Sequence, residues 1–299
     1  MRRLQFEDRD VTTSSLSQKA YRAAPCDLLL VVTPQNQDAA LTEFKHCGEL
    51  GKYRGLHVSG IDDLSFLQEF PQLLYLELAG HKSINIRDLS GLENLRGLHV
   101  ESPGSGIDFA SFPQLEVYMG GWHAGHKNLA SCQELRRLKI RNVNPRSNNL
   151  AALADVTRLE DVQITQSNIK SLAGIETLGD LRYFDIAYAS KLQSLDALKH
   201  GVAGLRELSI EKCRKIASYE PIAALTQLRR LKLTGCAQMK NLRWVGGLKD
   251  LDFFSFVDTS VQDGDLSHLL KLPKLRYVGS LDKKRYNFKV DALNIVLQR

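Results

Sequence analysis

The chain lacks long hydrophobic runs: among 299 residues no purely apolar stretch exceeds five, as at Leu28–Val32. A bilayer-spanning helix needs about 20, so no membrane contact is expected. Cysteine is sparse, odd in number and scattered, at Cys26, Cys47, Cys132, Cys213 and Cys236, and no Asn-x-Ser/Thr acceptor occurs. Both features fit a reducing interior better than a disulfide framework. The first 27 residues hold Glu7, Asp8 and Asp10 but no apolar core, so no secretory leader is expected and the location is read as cytoplasmic. Neither sign of charge dominates. Forty Lys+Arg face 34 Asp+Glu, a net +6, which permits an acidic partner without requiring one. With 43% hydrophobic and 25% charged residues, disordered and collagen-like classes are excluded.

Catalytic patterns are scarce too. Gly120-x-x-x-x-Gly125-His126-Lys127-Asn128 imitates a phosphate loop, but its lysine is displaced and no Ser or Thr follows to hold magnesium. Gly104-Ser105-Gly106 lacks the strand-to-helix setting of a nucleophile elbow. His123 and His126 have a metal-site spacing, and His99 lies one repeat earlier, yet no recognisable Cys or carboxylate pattern completes a shell. The two histidines are therefore expected to be a surface pair, with no metal, no cofactor and no enzymatic activity. The competing reading is an enzyme or a small-ligand or metal-binding protein centred on the Trp122–His126 loop. The glycines around that loop equally suit a bulge in a strand.

What is present is a repeat. An L-x-x-L-x-L frame begins at Tyr53, Leu73, Leu95, Leu115, Leu135, Leu159, Leu181, Leu205, Leu228, Leu251 and Leu275, at intervals of 20 to 24 residues. The clearest copies are Leu159-x-x-Val162-x-Ile164, Leu205-x-x-Leu208-x-Ile210 and Leu228-x-x-Leu231-x-Leu233. Side chains on a strand alternate with period two, so the alternating leucines share one face of a short strand. Such strands gain stability by stacking in parallel. Behind them, apolar residues recur every third position (Ile169, Leu172, Ile175, Leu178; Ile216, Tyr219, Ile222, Leu225), a step that suits 3₁₀ or short α turns. The frame at Leu115 is the poorest, with Tyr118 and Gly120 at its core positions.

On these frames the chain resembles the leucine-rich repeat family. The resemblance implies an α/β fold: a right-handed solenoid with a parallel concave β-sheet, short helical or 3₁₀ turns on the convex side, and a cap at each end. Residues 1–52 would be an N-terminal arm and cap, 53–281 the solenoid of about eleven repeats, and 282–299 the C-terminal cap. A strand over Asp27–Val32 and a helix over Asp38–Leu50 are expected at one end, and an amphipathic stretch over Val290–Leu297 at the other. The family places Asn or Cys at a turn position held here by His81, Pro103, His123, Val143, Ser167, Ala189, Cys213, Cys236 and Thr259. Cys213 and Cys236 are accordingly read as stacked ladder residues. Against the internalin type, with its rigid spacing and Asn ladder, the match is loose.

The frame also sorts the residues facing the concave groove. Its third positions include Tyr75, Arg137, Asp161, Tyr183, Glu207, Arg230, Phe253 and Tyr277; its fifth positions include His57, Glu77, His99, Met119, Lys139, Gln163, Asp185 and Lys232. Trp122 and Tyr188 follow at the eighth. Aromatic and charged side chains on a rigid sheet dominate protein-interface energetics. The expected partner-binding set is Tyr75, Glu77, His99, Met119, Trp122, Arg137, Lys139, Asp161, Tyr183, Asp185, Tyr188, Glu207, Arg230, Lys232 and Phe253. The acidic block at Asp161, Asp185 and Glu207 interrupts any basic stripe, so nucleic acid is not the expected partner. The sequence thus points to a protein-binding module, monomeric when free, with an inhibitor or immunity protein as a specific form.

Overall fold

The computed structural model describes residues 29–48, 53–80, 84, 86–101 and 104–298. The expected arm at 1–25, Cys26, and the ladder positions His81 and Pro103 lie outside them. Twelve strands form one sheet in sequence order, every neighbour parallel. They are β1 (Leu29–Val32), β2 (Gly55–Ser59), β3 (Tyr75–Ala79), β4 (Gly97–Val100), β5 (Val117–Gly121), β6 (Arg137–Val143), β7 (Asp161–Ser167), β8 (Tyr183–Ala189), β9 (Glu207–Glu211), β10 (Arg230–Thr234), β11 (Phe253–Ser255) and β12 (Tyr277–Gly279).

Eleven of these strands start at the third position of a frame, and the register pairs third position with third position throughout. The reason is burial. A slip of one residue would turn every core leucine to the opposite face, and Leu76, Leu98, Leu138, Val162, Leu208 and Leu231 are all closed from solvent. Even the poor frame obeys, because Tyr118 fills the core space that Gly120 leaves. A Cβ at Gly120 would sit 2.8 Å from the Tyr118 hydroxyl oxygen.

The convex side is built from 3₁₀ turns such as Glu220–Ala224, Arg243–Gly247 and Ser267–Lys271. Three residues per turn stack every third side chain, which buries Ile216, Tyr219, Ile222 and Leu225. Between β7 and β8 successive turns replace the helix, with Ile169, Leu172, Ile175 and Leu178 still buried.

The eighth position shares one backbone state in most frames, though not at Trp122 or Asp282. Gly60, Gly80, Asn142, Gln166, Tyr188, Lys212, Gly235 and Asp258 all have φ between 53° and 73°, so the chain leaves the strand through a left-handed residue. That conformation costs a side-chain-bearing residue about 1–2 kcal/mol, and β-branching makes it worse. Gln166→Val should therefore destabilise the protein by about 1 kcal/mol in urea unfolding, whereas Gln166→Gly should be neutral or better. Equal stabilities would remove the conformational explanation.

At the small-residue turn, Ser167 Oγ donates to the Val143 carbonyl at 2.7 Å, and the Cys236 N–H donates to Thr259 Oγ1 at 2.9 Å. Cys213 and Cys236 are free and buried. Their thiols donate to the Glu211 and Ile210 carbonyls at 3.3 and 3.2 Å. Burial pushes them up to about 12 and about 11 respectively, so little thiolate, the reactive form, exists at neutral pH. Both should label slowly with maleimide in native protein and at once in denaturant, and Ser or Ala at either should cost roughly 1 kcal/mol. Rapid native labelling would contradict their ladder role.

A helix packs near each end of the sheet. Helix α1 (Gln37–Gly48) buries Ala40 and Phe44, the latter edge-on to Phe70 at 5.5 Å. Helix α2 (Val290–Leu297) buries Val290 and Leu293 at the other end. There Asn294 addresses the edge strand: Oδ1 accepts from the Val278 N–H at 2.8 Å, and Nδ2 donates to the Val278 carbonyl at 2.9 Å.

Candidate functional site

The inner face of the sheet carries two side-chain ladders, from the third and fifth frame positions, with neighbours at the ~4.8 Å strand spacing. At that spacing long side chains close over shorter ones. Glu77, Met119 and Asp161, expected to face solvent, are only 4%, 5% and 0% exposed. Glu77 lies between His57 and His99, with His57 Nδ1 at 3.1 Å from its carboxylate. Met119 packs with Val117. Asp161 lies between Arg137 and Tyr183 in the register and accepts from Gln163 Nε2 at 3.2 Å. These three side chains support the face rather than present themselves at its surface.

Burial tunes the charges that remain. Asp185 is raised from 3.8 to about 6, chiefly by burial, while the Ser209 hydrogen bond and Lys232 oppose and Glu211 and Asp161 add to the rise. Lys139 is lowered by burial, against the pull of Asp185 and Asp161. His99 is lowered, also by burial first, with Glu77 and Glu101 opposing. Burial likewise raises Tyr75.

Toward the C-terminal end the third-position ladder becomes a continuous stack. Glu207 reaches Arg230 Nε at 3.8 Å, the Arg230 guanidinium lies 4.5 Å from the Phe253 ring centre, and Phe253 stacks on Tyr277 at 5.0 Å and 16°. Tyr277 is 46% exposed and lay outside the expected partner-binding set. Its place at the third position was the available signal. Tyr188 projects from the rim, 50% exposed on a left-handed backbone. Lateral charge pairing accompanies the Glu207–Arg230 contact one frame position earlier, at Arg136–Glu160 (2.7 Å) and Arg229–Asp252 (3.2 Å).

The Trp122–His126 loop is a structural bridge. The Ile107 N–H donates to His126 Nδ1 at 2.9 Å, so Nε2 carries the proton and donates to the Gly121 carbonyl at 3.1 Å. His126 is thus half-buried among Phe109, Tyr118 and Trp122, not the surface histidine that its polar surroundings suggested. Burial lowers its pKa and keeps it neutral. His123 Nδ1 accepts from the Gly125 N–H at 3.0 Å. Both nitrogens of His126 serve the backbone, so it has no lone pair for a metal. Among the described residues no group of three potential ligands converges, and no helix is long and apolar enough to cross a membrane.

No family model and no curated protein matches this chain. Solved structures do. An internalin of Listeria monocytogenes, InlF, is 18% identical and superposes with a TM-score of 0.61 over 79% of this chain and 70% of its own. The functional domain of InlJ from the same organism, described as including a cysteine ladder, gives 15% identity and a TM-score of 0.52 over 74% of this chain and 46% of its own. The fold is the leucine-rich-repeat solenoid.

Proposed function

We propose that this leucine-rich-repeat solenoid is a non-enzymatic module that captures a partner protein on its concave face, in the manner of an inhibitor or immunity protein. The single observation carrying the proposal is the set of aromatic and charged side chains on strands β6 and β8 to β12, partly open to solvent and fixed by their neighbours. Rigid aromatics lose little entropy on binding and make the strongest interface contacts. Solvent-facing charges steer association.

Affinity capture with mass spectrometry supplies the partner, and variants then locate its footprint. Tyr183→Ala should weaken binding at least tenfold through faster dissociation. Lys139→Glu should slow association in a salt-dependent way. The convex control is Lys170→Glu, which should change neither rate. Glu176 is unsuited to that control, because its carboxylate accepts the Gly174 N–H. Affinity lost on the convex change and kept on the concave ones would overturn the proposal.

A further inference from the structure

Charge is unevenly distributed along the chain. Residues 228–299 hold 14 Lys+Arg against 7 Asp+Glu, while the preceding 227 hold 26 against 27. The whole net positive charge therefore belongs to the last quarter, and part of its acidic complement is engaged locally, as in Asp250–Lys274 at 2.6 Å and Asp252–Arg229 at 3.2 Å. Lys283, Lys284 and Arg285 are all exposed.

The same region holds the apolar end of the concave face. Phe253 and Tyr277 stand on β11 and β12 beside Ser255 and Gly279, residues too small to cover them. A Cβ at Gly279 would lie 3.2 Å from the Tyr277 ring and 3.0 Å from Ser255 Oγ, so the Tyr277 ring rests against bare backbone there while the residue stays 46% exposed. Leu281, two residues beyond β12, is 52% exposed. Arg230 stacks on Phe253 while its Glu207 contact, at 3.8 Å, is too long for a hydrogen bond. The guanidinium is held in place by the ring and remains able to take a closer acceptor.

We infer that this C-terminal end of the groove docks an acidic protein segment carrying one aromatic or aliphatic anchor residue. The anchor lies over Phe253 and Tyr277, and the flanking carboxylates meet Arg230 and Lys232. Apolar stacking supplies the desolvated centre, and the basic surround excludes cationic sequences. This inference rests on the concave-face proposal and names the chemistry that one end of that face selects.

A phage-displayed library of random 12-residue peptides, panned on the full chain, tests it. Enriched peptides should be net negative with at least one Trp, Phe or Leu, and the strongest, made synthetically, should bind in fluorescence anisotropy. Phe253→Ala combined with Tyr277→Ala should lower its affinity at least tenfold. Arg230→Gln with Lys232→Gln should weaken it and flatten its salt dependence. All four substitutions sit on partly exposed side chains, and unchanged thermal melting verifies the fold. Basic or uncharged winners, no enrichment, affinity indifferent to these variants, or equal competition by a single-stranded oligonucleotide of matched charge would each overturn the assignment. If it fails while Tyr183→Ala still weakens a captured partner, the C-terminal assignment alone falls; if no concave change matters, the proposed function falls with it.

Discussion

Gly201→Ala should destabilise the protein by at least 3 kcal/mol and turn one unfolding transition into a broad or stepwise one. Two independent costs meet at this position. Its φ of 74° is left-handed, which charges alanine about 1–2 kcal/mol. In addition, an added Cβ would fall inside the van der Waals envelope of the Glu176 carbonyl, a backbone atom one coil earlier. A flexible side chain can swing away from such a clash, but a backbone carbonyl yields only by shifting its repeat. Because solenoid stability resides in nearest-neighbour interfaces, the damage should separate the repeats on either side. Gly179→Ala is the control: nothing lies within 4 Å of its Cβ, and the change should be neutral or stabilising through the unfolded chain. Similar denaturation midpoints for the two variants would disprove the close-approach argument.

Asp185→Asn should do the opposite and stabilise the fold at pH 7. The native carboxyl, raised from its ordinary 3.8 to about 6, binds its proton more tightly than the unfolded chain does. The penalty is thus absent below pH 3.8, grows as pH rises toward 6, and is complete above it. At about 1.4 kcal/mol per tenfold change in proton affinity, the shift corresponds to about 3 kcal/mol, reduced by whatever solvent reaches a half-buried side chain. Urea unfolding from pH 4 to 7.5 should show this group's contribution falling with pH in the wild type and missing in the asparagine variant. If the concave face binds a cationic group near Asp185, the same substitution should weaken binding while strengthening the fold, the trade expected of a residue kept for function. A destabilised variant, or identical pH profiles, would show that Asp185 is already compensated in the native state.

The strand register was legible in the sequence to the residue, because period two and the core leucines leave one solution, and the register pairs the third positions from Gly55 through Tyr277. The amphipathic stretch at Val290–Leu297 was legible from its apolar spacing and forms α2. The surface of the groove was less so. Whether Glu77, Met119 or Asp161 reaches solvent depends on side chains 20 to 24 residues away, which no local pattern encodes. The eighth-position backbone was equally hidden: glycine and asparagine hint at it, but Gln166, Tyr188 and Lys212 adopt the same φ, imposed by the stacked coils. At Leu115 the sequence marked an irregularity without its meaning. Tyr118 and Gly120 are complementary in volume, and His126 closes the loop through two backbone hydrogen bonds.

The side chain of Asn294 presents to Val278 the acceptor and donor that another strand's peptide group would offer. It works as a terminator for the array. A gene duplication that inserts a coil upstream of β12 leaves the terminator on the final strand and yields a longer protein whose last strand is still capped. One that adds a coil after α2 exposes an unmatched edge to any chain that can pair with it.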